Sequence, residues 1–214
     1  MVYLVSKNRN LFEISEYKVI SPQEAIDLLS KETILGADTE TEGLDPYTCK
    51  LLSIQLGTEE FQIVWDCLSY DIQLLKPILE NPNILTIWWN AKFDLKFLYH
   101  KRILPINVYD GMIAEELMYL GYPAGIHSMS LQAAGIKYCD VELDKSVRGK
   151  IIKVGLTPEV IIYGANDVKY LIPIYNAQQK CLEEQDLLKA VKLENEFVKC
   201  LAYIEYSGVK IDVP

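Results

Sequence analysis

Four acidic residues in three separated segments are the part of this sequence that could do chemistry. They are Asp38 and Glu40 in LGADTETEGL, Asp94 in NAKFDLKFL and Asp167 in YGANDVKYL. Each stands among apolar or aromatic neighbours, where an unpaired carboxylate is costly to bury. Brought together, such carboxylates repel and raise each other's pKa. Hard divalent cations relieve that repulsion, and an oxygen-only ligand set suits Mg²⁺ or Mn²⁺. Two such ions side by side are an apparatus for cutting phosphodiester bonds.

The elements that must position these acids can be read along the chain. ILGAD reads as a buried strand ending at Asp38, with LLSIQLG and FQIVWD as antiparallel neighbours. Alternation along a strand puts Asp38 and Glu40 on one face, and helical spacing puts Asn90 with Asp94, and Tyr163 with Asp167, on shared faces. Ser21, Pro22 and Glu24 open a helix with a capping box, and Thr157-Pro158-Glu159 opens the helix or helices carrying Tyr163 and Asp167. DIQLLKPILE is expected as a helix, ILTIWW as a short strand and NAKFDLKFLYH as a helix; GMIAEELMYLG and MSLQAAG follow as helices in an all-helical stretch. VYLV and FEISEYKVI read as two strands of a small N-terminal β-hairpin turning at Lys7 to Asn10. LLKAVKLENEFVKCLAYIEYS reads as a long amphipathic helix broken at Gly208, with VKIDV strand-like beyond it.

Three ordered motifs carry a resemblance. Asp38-Thr39-Glu40, Asn90 to Asp94 and Tyr163 to Asp167 resemble the three motifs of the DEDD 3′→5′ exonuclease superfamily, over roughly residues 22–182. The resemblance implies an α/β, ribonuclease-H-like mixed sheet flanked by helices. It also implies two divalent ions, Mg²⁺ or Mn²⁺. The counterpart of Asp38 bridges both; Glu40 and Asp167 help hold the ion that activates water, and Asp94 serves the second. Tyr163 marks the tyrosine type, since His100 and His127 lie far from Asp167 in sequence. A phenol with pKa near 10 is a poor base at neutral pH, so Tyr163 is expected to position the water. Leu44 matches a position that wedges terminal bases, and Asn90 and Phe93 match positions along the substrate strand. One of Trp88 and Trp89 is expected in the core and the other lining the site. Asp110 matches a recurrent acidic position of structural character. Relatives usually have Asp-Thr at Asp110-Gly111, and ribonuclease-D-like members carry a tryptophan that KSVRGKIIKVGLTPEV lacks.

The tail resembles the junction where the exonuclease domain of a family-A DNA polymerase passes into the polymerase domain. The expected division is therefore a strand extension over 1–20, the exonuclease domain over 21–185, and a segment over 186–214 leading toward a polymerase domain on the same longer chain. The leading expectation is a monomeric proofreading exonuclease acting on single-stranded DNA 3′ ends. The rivals are a ribonuclease-D-like RNA exonuclease and a non-catalytic nucleic-acid-binding module on the same fold.

Bulk properties bound these readings. Five scattered cysteines without a Cys-x-x-Cys pair argue against zinc or a disulfide framework and suit a reducing cytoplasm. No apolar run reaches the roughly 18 residues of a membrane span. The net charge of −9 disfavours tight non-specific duplex binding, although Lys92, Lys96, Lys101 and Arg102, and Lys145, Arg148, Lys150 and Lys153, form local basic clusters.

Overall fold

Apolar runs rich in β-branched residues alternate here with amphipathic helices, and such a pattern is satisfied by a sheet covered on both faces. The computed structural model describes residues 1–12, 15–123, 127–143 and 155–211. Seven strands among them form one mixed sheet: β1 Val2–Val5, β2 Tyr17–Val19, β3 Ile34–Thr41, β4 Leu51–Gly57, β5 Gln62–Asp66, β6 Leu85–Trp88 and β7 Val108–Asp110. Their order is β2-β1-β5-β4-β3-β6-β7, with β3 antiparallel to β4, β4 antiparallel to β5, and the other pairings parallel.

The helices are α1 Pro22–Leu29, α2 Lys76–Leu79, α3 Ala91–His100, α4 Gly111–Met118, α5 Leu131–Cys139, α6 Pro158–Lys169, α7 Leu171–Glu184 and α8 Leu188–Ser207. Ser21 caps α1 in a reciprocal capping box with Glu24, and Thr157 caps α6 by accepting from the Val160 amide. Gly208 ends α8 with a positive φ of 68°. One core cluster joins Ala25 and Leu29 of α1, Ala91 and Leu95 of α3 and Ala202 of α8 to Leu35 and Ala37 of β3. On the other face, α6 packs Ile161 and Ala165 against Leu4 and Val64.

Strand alternation thus decides what each β3 residue meets. Leu35 and Ala37 enter the first core, and Gly36, Asp38 and Glu40 take the α6 side. A Cβ at Gly36 would lie 2.5 Å from the Val168 carbonyl oxygen, so only glycine lets the end of α6 sit this close to the strand. Gly164 of α6 likewise admits the side chain of Gln55 on β4. These two contacts bring Tyr163 and Asp167 down beside Asp38 and Glu40.

Four local expectations change. The N-terminal strands form no hairpin, because β1 pairs in parallel with β2. The connection runs through a 3₁₀ turn at Arg9–Leu11, and burying Leu11 with Leu4 and Tyr17 brings the chain back in the same direction. β3 does not end at Asp38 but continues to Thr41, with a register shift at Glu40/Thr41. DIQLLKPILE is a 3₁₀ turn, Ile72–Leu75, followed by the single-turn α2, since Pro77 suits only a first helical turn. The stretch after α3 is not all helical: β7 adds an edge strand whose three residues are too short to show a period. The second basic cluster, Lys145 to Lys153, and Asp212 of the tail lie outside the described residues. No described helix is long and apolar enough to cross a membrane.

Candidate active site

Asp38, Glu40 and Asp167 each offer a carboxylate oxygen to a group whose members lie within 4.8 Å of one another. Their separation in sequence is bridged by the Gly36 contact between β3 and α6. All three are half-buried, and the set contains only oxygen donors, which fits Mg²⁺ or Mn²⁺ and disfavours softer metals. Tyr163, one turn before Asp167 on α6, lines the same cleft.

That cleft has a volume of about 490 Å³, and every residue singled out for the site lines it: Asp38, Glu40, Leu44, Asn90, Phe93, Asp94, Tyr163 and Asp167. Leu44 is 82 % exposed on the loop after β3, so it stands at the rim and packs into no core. Phe93 is half-buried and meets Phe97 at 5.3 Å between ring centroids.

Asp94 is the acid that does not join the group of three. It is buried on α3, which approaches β3 from its opposite face, and its Oδ1 accepts from the Thr39 amide at 3.1 Å and the Thr39 hydroxyl at 2.5 Å. Thr39, between Asp38 and Glu40, therefore ties the second motif to the first. Burial pushes the Asp94 carboxyl up, and the charge of Asp110 adds to this against the lowering effect of the Thr39 bonds. A divalent ion beside Asp94 would favour its ionised form.

Asn90 occupies the N-cap position of α3 in the left-handed region (φ 65°, ψ 50°), and its side chain makes no capping bond. It is thus not on the helical face shared with Asp94, as the spacing suggested, but just ahead of it. The capping is done by Asp110, a residue that sequence reading placed outside the site. The Asp110 carboxylate accepts from the amides of Asn90 at 2.9 Å, Ala91 at 2.8 Å and Met112 at 3.0 Å. Burial raises its pKa to about 6 in spite of these bonds. Its only advance signal was its match to a recurrent acidic position.

The two tryptophans divide as expected. Trp88 is buried and donates from Nε1 to the Thr86 hydroxyl at 2.9 Å, whereas Trp89 lines the cleft and donates to the Met129 carbonyl at 3.0 Å. A Cβ at Gly111 would lie 2.8 Å from the Trp89 ring. Gly111, where relatives usually have threonine, therefore leaves room for the Trp89 ring. Sequence reading missed Met112, Met129, Ser130, Leu131, Gln132 and Leu143 of the cleft wall, which no motif marked. Lys92 and Lys96, read as part of a basic cluster, both bond Glu205 of α8, at 2.8 and 3.0 Å.

Comparisons with known proteins give the family. The chain is 29% identical over 209 residues to ribonuclease D of Haemophilus influenzae, covering 92% of this chain and 51% of that protein. It is also 29% identical over 209 residues to DNA polymerase I of Borreliella burgdorferi, covering 90% of this chain and 22% of that one. It thus spans about half of one relative and about a fifth of the other. The catalytic core of RRP6 from Trypanosoma brucei superposes with a TM-score of 0.77 at 20% identity, covering 93% of this chain and 52% of that one; the fold is shared. A family model described as 3′–5′ exonuclease matches residues 18–183, and the chain belongs to that family.

Proposed function

We propose that this chain hydrolyses the terminal phosphodiester of a single-stranded 3′ end, DNA in the first place, and releases nucleoside 5′-monophosphates. The observation that carries this is the convergence of Asp38, Glu40 and Asp167 within 4.8 Å, in a cleft that Tyr163 and Asp94 also line.

The family works with two divalent metal ions. In this reading Asp38, Glu40 and Asp167 would hold one ion, and Asp94, lining the same cleft, would help hold the second. When bound, the pair lowers the pKa of the attacking water and stabilises the leaving 3′ oxygen. Tyr163 orients that water through its hydroxyl, because a phenol with pKa near 10 stays protonated at neutral pH. Thr39 holds one oxygen of Asp94, which limits how that carboxylate can turn. Leu44 at the rim separates the terminal base from its neighbour. Phe93 offers an aromatic surface that tolerates any base, and Asn90 offers polar contacts to the strand.

DNA is placed first because the segment around Gly208 resembles a polymerase junction, and in this reading a polymerase domain follows residues 186–214 on the same longer chain. The ribonuclease D relative, equally identical to this chain, is the specific observation favouring RNA instead. Digestion of 5′-labelled DNA and RNA of one sequence, with Mg²⁺ or Mn²⁺, separates the two. Faster shortening of DNA from its 3′ end supports the first reading, and faster shortening of RNA replaces it with the second. No shortening of either strand contradicts the exonuclease assignment.

A further inference from the structure

Asn90 poses a physical question. Asparagine is favoured as an N-cap because its side chain accepts from the first amides of the helix while its backbone stays extended. Here it stands at the N-cap in the left-handed region and caps nothing. Sparsely populated backbone conformations persist where surrounding structure over-determines them, and they cluster at functional sites. The over-determining group is Asp110, which is 1 % exposed. Its two oxygens take the Asn90 and Ala91 amides separately, Oδ1 at 2.9 Å and Oδ2 at 2.8 Å, and Oδ1 also takes the Met112 amide at 3.0 Å. One carboxylate thereby caps both α3 and α4. Asp110 is itself fixed from a third helix: its amide donates to Oδ1 of Asn195 on α8 at 2.6 Å, and the Asn195 side-chain amide donates back to the Val191 carbonyl at 2.9 Å.

We infer that Asp110 is a positioning residue for the exonuclease reaction: by taking over the cap of α3 it frees the Asn90 side chain for the cleft and sets where α3 presents Asp94, with Asn195 as its anchor on α8. This rests on the function proposed above. A plain helix cap would need only the helix amides and would leave Asn90 in its ordinary capping conformation. Here the capping role and the cleft role are divided between two residues 20 positions apart. The arrangement also ties the cleft to α8, since Asn195 lies 85 positions from the residue it holds.

The test compares the full chain with Asp110→Asn and Asn195→Ala. It reads kcat and KM on a single-stranded DNA oligonucleotide, Mn²⁺ binding by electron paramagnetic resonance without substrate, and the unfolding temperature. Asp110→Asn keeps the shape but puts an NH₂ against an amide donor, and is expected to lower kcat at least tenfold with KM within about threefold. Mn²⁺ binding should weaken at least threefold, because Asp94 moves with α3. Asn195→Ala leaves every charge in place and should act in the same direction with a smaller loss, which separates position from charge. Variants that melt earlier yet keep the kcat and Mn²⁺ affinity of the unaltered chain would reduce Asp110 to a structural cap and overturn the inference. If Asp110→Asn does not fold, Asn195→Ala decides by the same criteria. An unaltered chain that neither binds Mn²⁺ nor cuts would overturn the proposed function and this inference together, a result distinct from losses confined to the variants.

Discussion

Two regions of this molecule take carboxylates out of bulk water, and they do so in opposite ways. Under α4, Glu115 is 3 % exposed and meets donors on every side: Tyr138 Oη at 2.6 Å, Gln178 Nε2 at 2.9 Å and Lys137 Nζ at 3.1 Å. Burial and the bond to Glu115 push the Tyr138 phenol well above its ordinary value. Gln178 in turn donates to the Gly111 carbonyl at 2.9 Å and accepts from Tyr109 at 3.1 Å. That region is an acid neutralised by the protein itself, and it holds α4, α5 and α7 together. At the cleft, three carboxylates converge on one another across the β3–α6 contact. Glu115 is matched by three side-chain donors of the protein itself, whereas the cleft brings three carboxylates within reach of a single cation. Asp94 and Asp110 stand between these extremes, buried and bonded to amides, and linked to the cleft through Thr39 and Asn90.

Removing one acid from each region separates the two roles. Asp38→Ala or Asp167→Ala should abolish exonuclease turnover, a loss of at least about a thousandfold, equivalent to about 4 kcal/mol. Their unfolding temperatures in EDTA should change less than that of Glu115→Ala, because relief of like-charge repulsion offsets part of any loss. Glu115→Ala should do the reverse, losing on the order of 1–3 kcal/mol in urea unfolding by leaving buried donors unmatched while keeping turnover at permissive temperature. A Glu115→Ala protein with full stability, or an Asp38→Ala protein with substantial turnover, would erase the distinction.

Tyr163→Phe should slow hydrolysis by about tenfold, or about 1.4 kcal/mol, and leave Mn²⁺ binding intact, as calorimetric titration can check. The intermediate pair should show itself in pH. The Asp110 carboxyl is raised on folding to about 6 from about 4 in an unfolded chain. Its contribution to stability is therefore fully present below about pH 4 and lost as pH rises through about 6. Burial shifts Asp94 in the same direction. In EDTA, unfolding scans should show a fall in stability across this window that Asp110→Asn flattens. The least change is expected from Asn90→Gly, which relieves a left-handed asparagine and should raise stability by under about 1 kcal/mol while reducing turnover severalfold. A drop in both would mean that the Asn90 side chain serves packing and not the cleft.

The cleft was largely legible in the sequence because its signals are local. Asp38 with Glu40, and Tyr163 with Asp167, obey the strand and helix periods, so type and spacing alone put them on shared faces. What stayed hidden depends on contacts distant in sequence or on backbone states without a residue signature. The parallel pairing of β1 with β2 follows from where Leu11 is buried, and the polar turn before it suggested a hairpin. β7 is three residues long, below any readable period. Glycine at 111 signals nothing until the Trp89 ring is seen above it. The spacing of Asn90 to Asp94 is helical, and only the Asp110 bonds explain why Asn90 stands left-handed outside the helix.

In the proposed function the converging carboxylates serve metal-dependent cutting from a 3′ end. The most direct measurement is digestion of a 5′-labelled single-stranded oligonucleotide by the unaltered chain and by Asp38→Ala, each with Mn²⁺ and with EDTA. We expect a ladder shortening from the 3′ end only for the unaltered chain with Mn²⁺. A ladder that persists in EDTA, or in Asp38→Ala with Mn²⁺, would show that cutting does not depend on metal held by these acids.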